Sequence, residues 1–383
     1  MAAVTSGSTT RTRATVLRNA PATRPYAQSR PLSVEEIELD APGPGEVLVA
    51  IKAAGLCHSD LSVINGDRPR PLPMALGHEA AGIVEQLGEG VRDLEVGDHV
   101  VMVFMPSCGH CVPCAEGRPA LCEPGAAANG AGTLLGGAIR LRSHGQPMFH
   151  HVGVSAFAGH AVVSRTSLVR IDKDIVFEHA ALFGCAVLTG VGAVVNTSGL
   201  KAGQSVAIVG LGGVGLAALL GARAAGASII VAADLMPEKL ALARELGATH
   251  TVDPRDEAAV EHIRTITRGG VDAAVELAGS VPALEFAYRI TRRGGTTVTG
   301  GLANPASRVS IQHVSLVAEE RTLKGSYIGS CIPSRDIPRY IEMFRRGILP
   351  VDRLMSGTGP LEGINEALDE LEAGRVIRYV FLP

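Results

Sequence analysis

The chain has 383 residues, 46% of them hydrophobic and 19% charged, with 46 glycines and a formal net charge of −3. That length and apolar content suit two domains with sizeable cores, while the near-neutral charge and 3% aromatic content supply neither a basic footprint nor the stacking platforms that nucleic-acid binding uses. Seven cysteines, four of them crowded between Cys108 and Cys122, favour metal ligation in a reducing compartment over a disulfide framework, so a cytoplasmic protein is expected.

Residues 1–13 are rich in Ser, Thr and Arg and contain no apolar run, which predicts a disordered tail rather than a secretory signal. Before Glu35 the chain has Arg but no acid, a transit-peptide look, yet Ala14–Leu17 already reads as a first strand. From Ala14 to Val176 the short β-rich runs Glu46–Ile51, Ala80–Leu87, His99–Phe104 and His160–Val163 alternate with Pro and Gly punctuation, predicting an antiparallel, loop-rich β domain.

Inside that domain Cys108, Cys111, Cys114 and Cys122 form C-x2-C-x2-C-x7-C, and four thiolates so close in sequence can wrap one tetrahedral zinc. Ferredoxin runs open in the same way but continue with C-x3-C-P; here the last spacing is seven and no Pro follows Cys122 directly. A site closed by four protein ligands is structural, not catalytic. Cys57 in GLCHSD, His78 in GHE and Cys185 in FGCAVLTG are weaker signals taken singly, because a buried Cys is usually a small hydrophobe and a lone His a hydrogen-bonded core residue.

From Ala180 the texture changes to apolar strands alternating with Ala-rich helices, the pattern of a parallel sheet. Val206–Val209 ends at Gly210, and Gly210, Gly212 and Gly215 fit G-x-G-x-x-G, with Gly213 in the turn and a helical pattern from Val214 whose N-terminus suits a pyrophosphate. A glycine triplet also serves plain packing; here strand, turn, helix, a second apolar run Ser228–Ala233 and the terminal acid Asp234 occur in order. An acid there accepts from ribose hydroxyls and repels the extra phosphate of NADP, which predicts NAD. The uncharged run Val206–Ala222 is too short and Gly-rich to cross a bilayer, so no membrane is expected. Pro237–Leu246 reads as a helix capped by Gly247, Val271–Leu277 and Thr296–Thr299 as buried strands, and Ile337–Pro383 as a return to the first domain ending in the strand Ile377–Leu382. Arg378 lies inside that strand, where a charge needs a partner.

GHEAAGIVEQLGEGV, residues 77–91, fits the zinc signature G-H-E-x2-G-x5-G-x2-V. Together with GLCHSD, the cysteine cluster, FGCAVLTG, VGLGGVG and VIR, in that order, it makes nearly the whole chain resemble the zinc-containing alcohol dehydrogenases of the medium-chain dehydrogenase/reductase superfamily. The resemblance implies an α/β fold in which a GroES-like antiparallel β catalytic domain, residues 14–186 and 329–383, accompanies a doubly wound Rossmann NAD-binding domain, residues 187–328. It implies NAD and two zinc ions per chain: one structural, on Cys108, Cys111, Cys114 and Cys122, and one catalytic, on Cys57, His78 and Cys185, with a fourth position open. Also by resemblance, Ser59 takes the alcohol proton, His58 touches the coenzyme pyrophosphate, Asp60 orients a zinc ligand, Glu79 sits behind the metal and Phe104 lines the substrate pocket. Thr189 meets the nicotinamide, Lys239 the adenosine ribose and Arg378 the pyrophosphate. A homodimer or homotetramer acting on a small alcohol, aldehyde or ketone follows from the same likeness.

Two departures stand out. Many relatives carry a His three residues after the relay Ser or Thr, where this chain has Ser62. Relatives that oxidise thiol adducts of formaldehyde carry an Arg just after the zinc lobe, where Pro124–Asn129 offers only Gly, Ala, Pro and Asn, which weighs against a thiol-dependent formaldehyde dehydrogenase. A nucleotide-binding protein without activity would have no reason to keep the three ligands and Ser59.

Overall fold

In a computed structural model, which describes residues 9–383, the chain divides into two units. The first comprises the chain through Cys185 with Ile332–Pro338 and Met355–Pro383; the second comprises Ala186–Cys331 and Arg339–Leu354. In chain order the first unit opens with β1 (Thr10–Leu17), β2 (Leu32–Leu39), β3 (Glu46–Gly55), β4 (Met74–Ala75), β5 (Glu79–Leu87) and β6 (His99–Met102). It continues with β7 (Leu141–Ser143), β8 (Gln146–His150), β9 (His160–Ser164) and β10 (Leu168–Ile171). The second unit holds β11 (Ser205–Val209), β12 (Ile229–Ala233), β13 (His250–Val252), β14 (Val271–Glu276), β15 (Thr291–Thr299) and β16 (Thr322–Gly325), and the chain ends with β17 (Gly357–Gly359) and β18 (Tyr379–Phe381).

In the first unit β1, β2, β7, β8 and β4 close a barrel, and β10, β6, β5, β3, β18 and β17 form a second sheet, with β9 also pairing β3. β3 reads as an almost unbroken apolar run because both of its faces are covered. Val47, Val49 and Ile51 enter the core that holds Leu17, Leu76, Phe157 and Phe381, while Leu48 faces Val16, Ile37 and Leu39. The returning strand β18 pairs antiparallel with the end of β3, Val380 opposite Gly55 and Phe381 opposite Ala54, as the tail was expected to do, although it spans only Tyr379–Phe381.

β1 begins at Thr10, four residues inside the tail expected from the sequence, and runs against β2 from Thr10 opposite Leu39 to Leu17 opposite Leu32. The Thr/Arg run conceals a period of two: Thr12 and Ala14 are buried, while Arg11 and Arg13 point outward to Glu36 and Glu362. Residues 1–8 of that tail lie outside the described residues.

The second unit is a six-stranded parallel sheet in the order β13-β12-β11-β14-β15-β16. The order reverses between β11 and β14, the switch point at which such sheets bind dinucleotides. Gly210 leaves β11 with φ +92°, and a side-chain carbon at Gly215 would sit 1.8 Å from the Gly210 carbonyl oxygen, so the helix Gly213–Ala224 packs this close to the turn only with glycine there. The boundary expected from the sequence shifts: Ala186, Gly329–Cys331 and Arg339–Leu354 belong to this unit. Tyr340 and Ile341 are buried, the Tyr340 hydroxyl lies 3.8 Å from Cys331 Sγ, and the turn Val351–Leu354 packs against Gly213–Ala224. Among the described residues one helical stretch, Phe177–Ser198, is long and apolar enough to cross a membrane, and most of it is buried inside the protein.

Candidate active site and metal centres

The pairing of β3 with β5 sets Gly55 opposite Glu79. That register brings Cys57, two residues beyond the end of β3, beside His78, one residue before β5. Cys185, in the π-helical turn Phe183–Val187, completes the group. The ligand atoms of Cys57, His78, Glu79 and Cys185 all lie within 4.8 Å of one another, and all four residues are buried.

Asp60, in the first turn of the helix His58–Ile64, holds this arrangement. Its Oδ2 accepts from the Cys57 backbone N–H at 3.0 Å, and its Oδ1 lies 3.0 Å from His78 Nδ1 and accepts from the Gly77 N–H at 3.3 Å. With Nδ1 committed to Asp60, His78 presents Nε2 to the two thiols, and that nitrogen is buried with no hydrogen-bond partner. Two thiols and an imidazole with an orphaned buried nitrogen fit a zinc ion, and the Glu79 carboxylate, whose oxygens are likewise buried without a hydrogen-bond partner, lies within the same reach.

Electrostatics within the cluster are uneven. A hydrogen bond from Cys185 holds the Cys57 thiol well below the ordinary range despite burial, with Arg378 and His78 adding to it; Cys185 is pushed up in return by that bond and by its own burial. Burial raises Glu79 to about 7, against the pull of Arg378. Arg378 is itself buried: Nη1 donates to the Leu56 carbonyl at 3.3 Å, Nη2 to Cys57 Sγ at 3.7 Å, and Nε lies 3.6 Å from Glu79 Oε1. The charge expected inside the terminal strand thus stands just before β18 and finds its partners at the metal-ligand cluster.

Ser59 Oγ lies 3.9 Å from Cys57 Sγ, and the Phe104 ring stands edge-on to His78 with centroids 5.3 Å apart. His58 is exposed on the same helix as Ser59, and Ser62 Oγ donates to the His58 carbonyl at 2.8 Å. In the second unit Asp234 follows β12, and its carboxylate accepts from the Leu211 N–H at 2.7 Å and the Met236 N–H at 3.0 Å, pinning it to the glycine turn. Nothing would meet a side-chain carbon at Gly212, so the turn is open there to a ligand, with Gly213 and Val214 beginning the helix behind it. Lys239 and Thr189 are half-buried in helices of the same unit.

Cys108, Cys111, Cys114 and Cys122 also converge within 4.8 Å and form no disulfide. Backbone N–H groups aim at the sulfurs: Cys111 N–H at Cys108 Sγ (3.3 Å), and the N–H groups of Cys108 (3.2 Å) and Gly125 (3.4 Å) at Cys122 Sγ. His110 and Cys111 N–H bonds bring the Cys108 thiol down to about 6, whereas burial drives Cys114 up to about 12. Four thiols with N–H support and no vacant position fit a closed structural zinc.

Two residues not singled out in the sequence belong near the site. His151 Nδ1 lies 3.3 Å from Asp60 Oδ1, and its ring stands edge-on to His78 at 5.5 Å. Arg70 donates to the Asn129 carbonyl at 3.1 Å, and Asn129 Nδ2 donates to the Phe104 carbonyl at 2.7 Å. The only signal for His151 was a His pair set in the apolar run FHHVGVSAF, and Arg70 lies in an unremarkable RPRP.

Residues 43–173 match the family described as alcohol dehydrogenase GroES-like domain, and residues 213–346 the family described as zinc-binding dehydrogenase. Alcohol dehydrogenase class-3 of Drosophila melanogaster is 39% identical to this chain, covering 93% of it and 95% of the relative. S-(hydroxymethyl)glutathione dehydrogenase of Synechocystis is 38% identical, covering 93% of this chain and 97% of its own. The crystal structure of benzyl alcohol dehydrogenase from Acinetobacter calcoaceticus superposes with a TM-score of 0.91 at 32% identity, covering 97% of this chain and 99% of that one.

Proposed function

Since the chain belongs to the zinc-containing alcohol dehydrogenases of the medium-chain dehydrogenase/reductase superfamily, we propose that it catalyses reversible, NAD-dependent oxidation of an alcohol to an aldehyde or ketone. The observation that carries this reading is the buried, unpartnered Nε2 of His78 facing the thiols of Cys57 and Cys185. A zinc ion on these three residues would supply the Lewis acid that lowers the pKa of an alcohol hydroxyl.

The chain's own residues do the rest. Asp60 fixes the His78 tautomer and the position of Cys57. Ser59 takes the alcohol proton, and Phe104 walls the site beside His78. Glu79 and Arg378 form a buried charged layer behind the ligands, and Arg378 and His58 also serve the coenzyme pyrophosphate. Asp234 selects NAD over NADP, Lys239 contacts the adenosine ribose and Thr189 the nicotinamide. The cysteine lobe holds a second, structural zinc, and the protein works in the cytoplasm as a homodimer or homotetramer.

A second reading, oxidation of a thiol adduct of formaldehyde, is favoured by the likeness to S-(hydroxymethyl)glutathione dehydrogenase and opposed by the lack of any Arg in the helix Glu123–Ala131. Metal analysis with an NAD-coupled absorbance assay over primary, secondary, aromatic and terpenoid alcohols, with and without a low-molecular-weight thiol, tests both. About two zinc ions per chain and thiol-independent turnover of at least one alcohol are expected. A single zinc, released only on unfolding, with no turnover of any alcohol would overturn the enzymatic reading.

A further inference from the structure

We propose that Thr197 is a positioning residue for the nicotinamide half of the coenzyme: its hydroxyl latches the segment 326–331 onto the helix that carries Thr189. This rests on the NAD-dependent reading given above. Within that segment Ile328, Gly329 and Ser330 have φ of +49°, +64° and +51° in succession. Glycine takes this left-handed conformation freely, but a serine is strained there and a β-branched isoleucine is a marked outlier. The surrounding structure must therefore hold the turn in place.

The hold comes from the π-helical turn Ala193–Ser198, in which the neighbours Asn196 and Thr197 both face this segment. Thr197 Oγ1 lies 2.8 Å from Ser326 Oγ and 2.9 Å from Ser330 Oγ, so one hydroxyl ties the two ends of the turn together. Asn196 Nδ2 donates to the Gly329 carbonyl between them at 3.3 Å. Beneath the turn there is no slack. A side-chain carbon at Gly329 would stand 2.6 Å from the Leu188 carbonyl oxygen and 2.8 Å from that of Thr189. Cys331 Sγ also donates to the Leu188 carbonyl at 3.2 Å. A shift of the turn is therefore felt directly at Thr189, and wider turns of the Ala193–Ser198 kind inside α-helices are frequent at functional sites.

The strand order fixes which half of the coenzyme the latch serves. Asp234 follows β12 and the glycine turn follows β11, and a doubly wound sheet binds a dinucleotide across the switch point beside β11. With the adenosine ribose on the β12 side, the nicotinamide end runs the other way, over the ends of β14, β15 and β16. Segment 326–331 leaves the end of β16, and the Ser326 N–H ties it to the end of β15 by donating to the Thr299 carbonyl at 2.8 Å. Ile328 and Gly329 are buried while Ser330 is exposed, so the turn has a fixed floor and one open side.

The test measures Kd by titration calorimetry on the full chain for NADH and for ADP-ribose, which has the adenosine and pyrophosphate but no nicotinamide. Thr197→Val keeps the shape and removes both hydroxyl bonds, Thr197→Ser keeps the hydroxyl, and Ser330→Ala removes one bond at an exposed position. Two lost hydrogen bonds imply that Thr197→Val weakens NADH by about tenfold while ADP-ribose stays within about twofold of the parent. Ser330→Ala should weaken NADH by about threefold with ADP-ribose again unmoved, and Thr197→Ser should stay within about twofold of the parent for both ligands. Equal losses for the two ligands in Thr197→Val would mean that the hydroxyl serves the fold alone and would overturn the proposal, as would an unchanged Kd for NADH. If the valine variant does not fold, the ratio of the two Kd values in Ser330→Ala decides in the same way. A parent that binds both ligands upholds the coenzyme reading even where that ratio does not move, whereas a parent that binds neither brings down both.

Discussion

Asp60 Oδ1 lies 3.0 Å from His78 Nδ1, and both side chains are shut away from water. Because Oδ2 of the same carboxylate takes the Cys57 N–H, one acid fixes two of the three candidate zinc ligands. Asp60→Asn keeps the shape but removes the charge that favours a proton on Nδ1. We expect it to release the catalytic zinc about 10- to 100-fold more readily while the ion on Cys108, Cys111, Cys114 and Cys122 stays. Zinc counted per chain after dialysis against a chelator measures this. Retention of both ions as tightly as in the parent would show that Asp60 does not position the ligands.

Coenzyme choice should rest with Asp234. Its two oxygens are held by the Leu211 and Met236 N–H groups, so the carboxylate cannot swing away from an incoming 2′-phosphate. A like charge at that distance costs several kcal/mol, which predicts a preference for NAD of about 100-fold or more in kcat/KM. Asp234→Ser should shrink the preference by at least about tenfold on the same grounds. Equal kcat/KM for the two coenzymes in the parent would place the choice elsewhere.

Where chemistry restricts residue type and spacing, the sequence was legible. Four cysteines within one lobe and glycines at a strand–helix turn leave few alternatives, and the structure brings each set together. Cys57, His78 and Cys185 were recoverable only by family resemblance, since β-sheet register and a distant π-helical turn, not local spacing, unite them. The same reason hid His151, whose importance lies in what it faces, Asp60 and His78. The start of β1 was missed because Thr12 and Ala14 are small inward residues set between arginines, which mimics a polar tail. Arg378 announced that it needed a partner without saying that Glu79 and Cys57 would be there.

A pH dependence of stability follows from His150. Burial, helped by Arg140, pushes its pKa down to about 3, and its Nε2 accepts from the Arg140 N–H at 3.0 Å, which requires the neutral ring. The unfolded chain regains an ordinary value of about 6.5, so between these two values it binds more protons than the native state. The contribution of His150 is therefore complete above about 6.5 and is lost as pH falls toward about 3. His150→Gln keeps an acceptor for Arg140 but cannot titrate, and its urea midpoint should fall less steeply than the parent's between pH 6.5 and 4. Parallel slopes would mean that other groups govern acid lability.

Proton exit offers the sharpest test of the proposed chemistry. Ser59 can take an alcohol proton only by passing one onward, because a hydroxyl relays protons at neutral pH and does not store them. In relatives an imidazole three residues along the helix can accept and release that proton near its own pKa. Here the position is Ser62, and its hydroxyl is already committed to the His58 carbonyl at 2.8 Å, one turn back on the helix. Protons must then leave through water or another base, and alcohol oxidation should have a correspondingly alkaline optimum. Ser62→His should raise the single-turnover rate of hydride transfer near neutral pH, with less gain at high pH where hydroxide does the same work. Ser59→Ala should be slow at every pH, since it removes the first acceptor, not the last. Single-turnover measurement matters because slow NADH release would mask the change in steady-state kcat. An unchanged pH profile in Ser62→His would mean that the proton leaves by a route that does not pass this face of the helix.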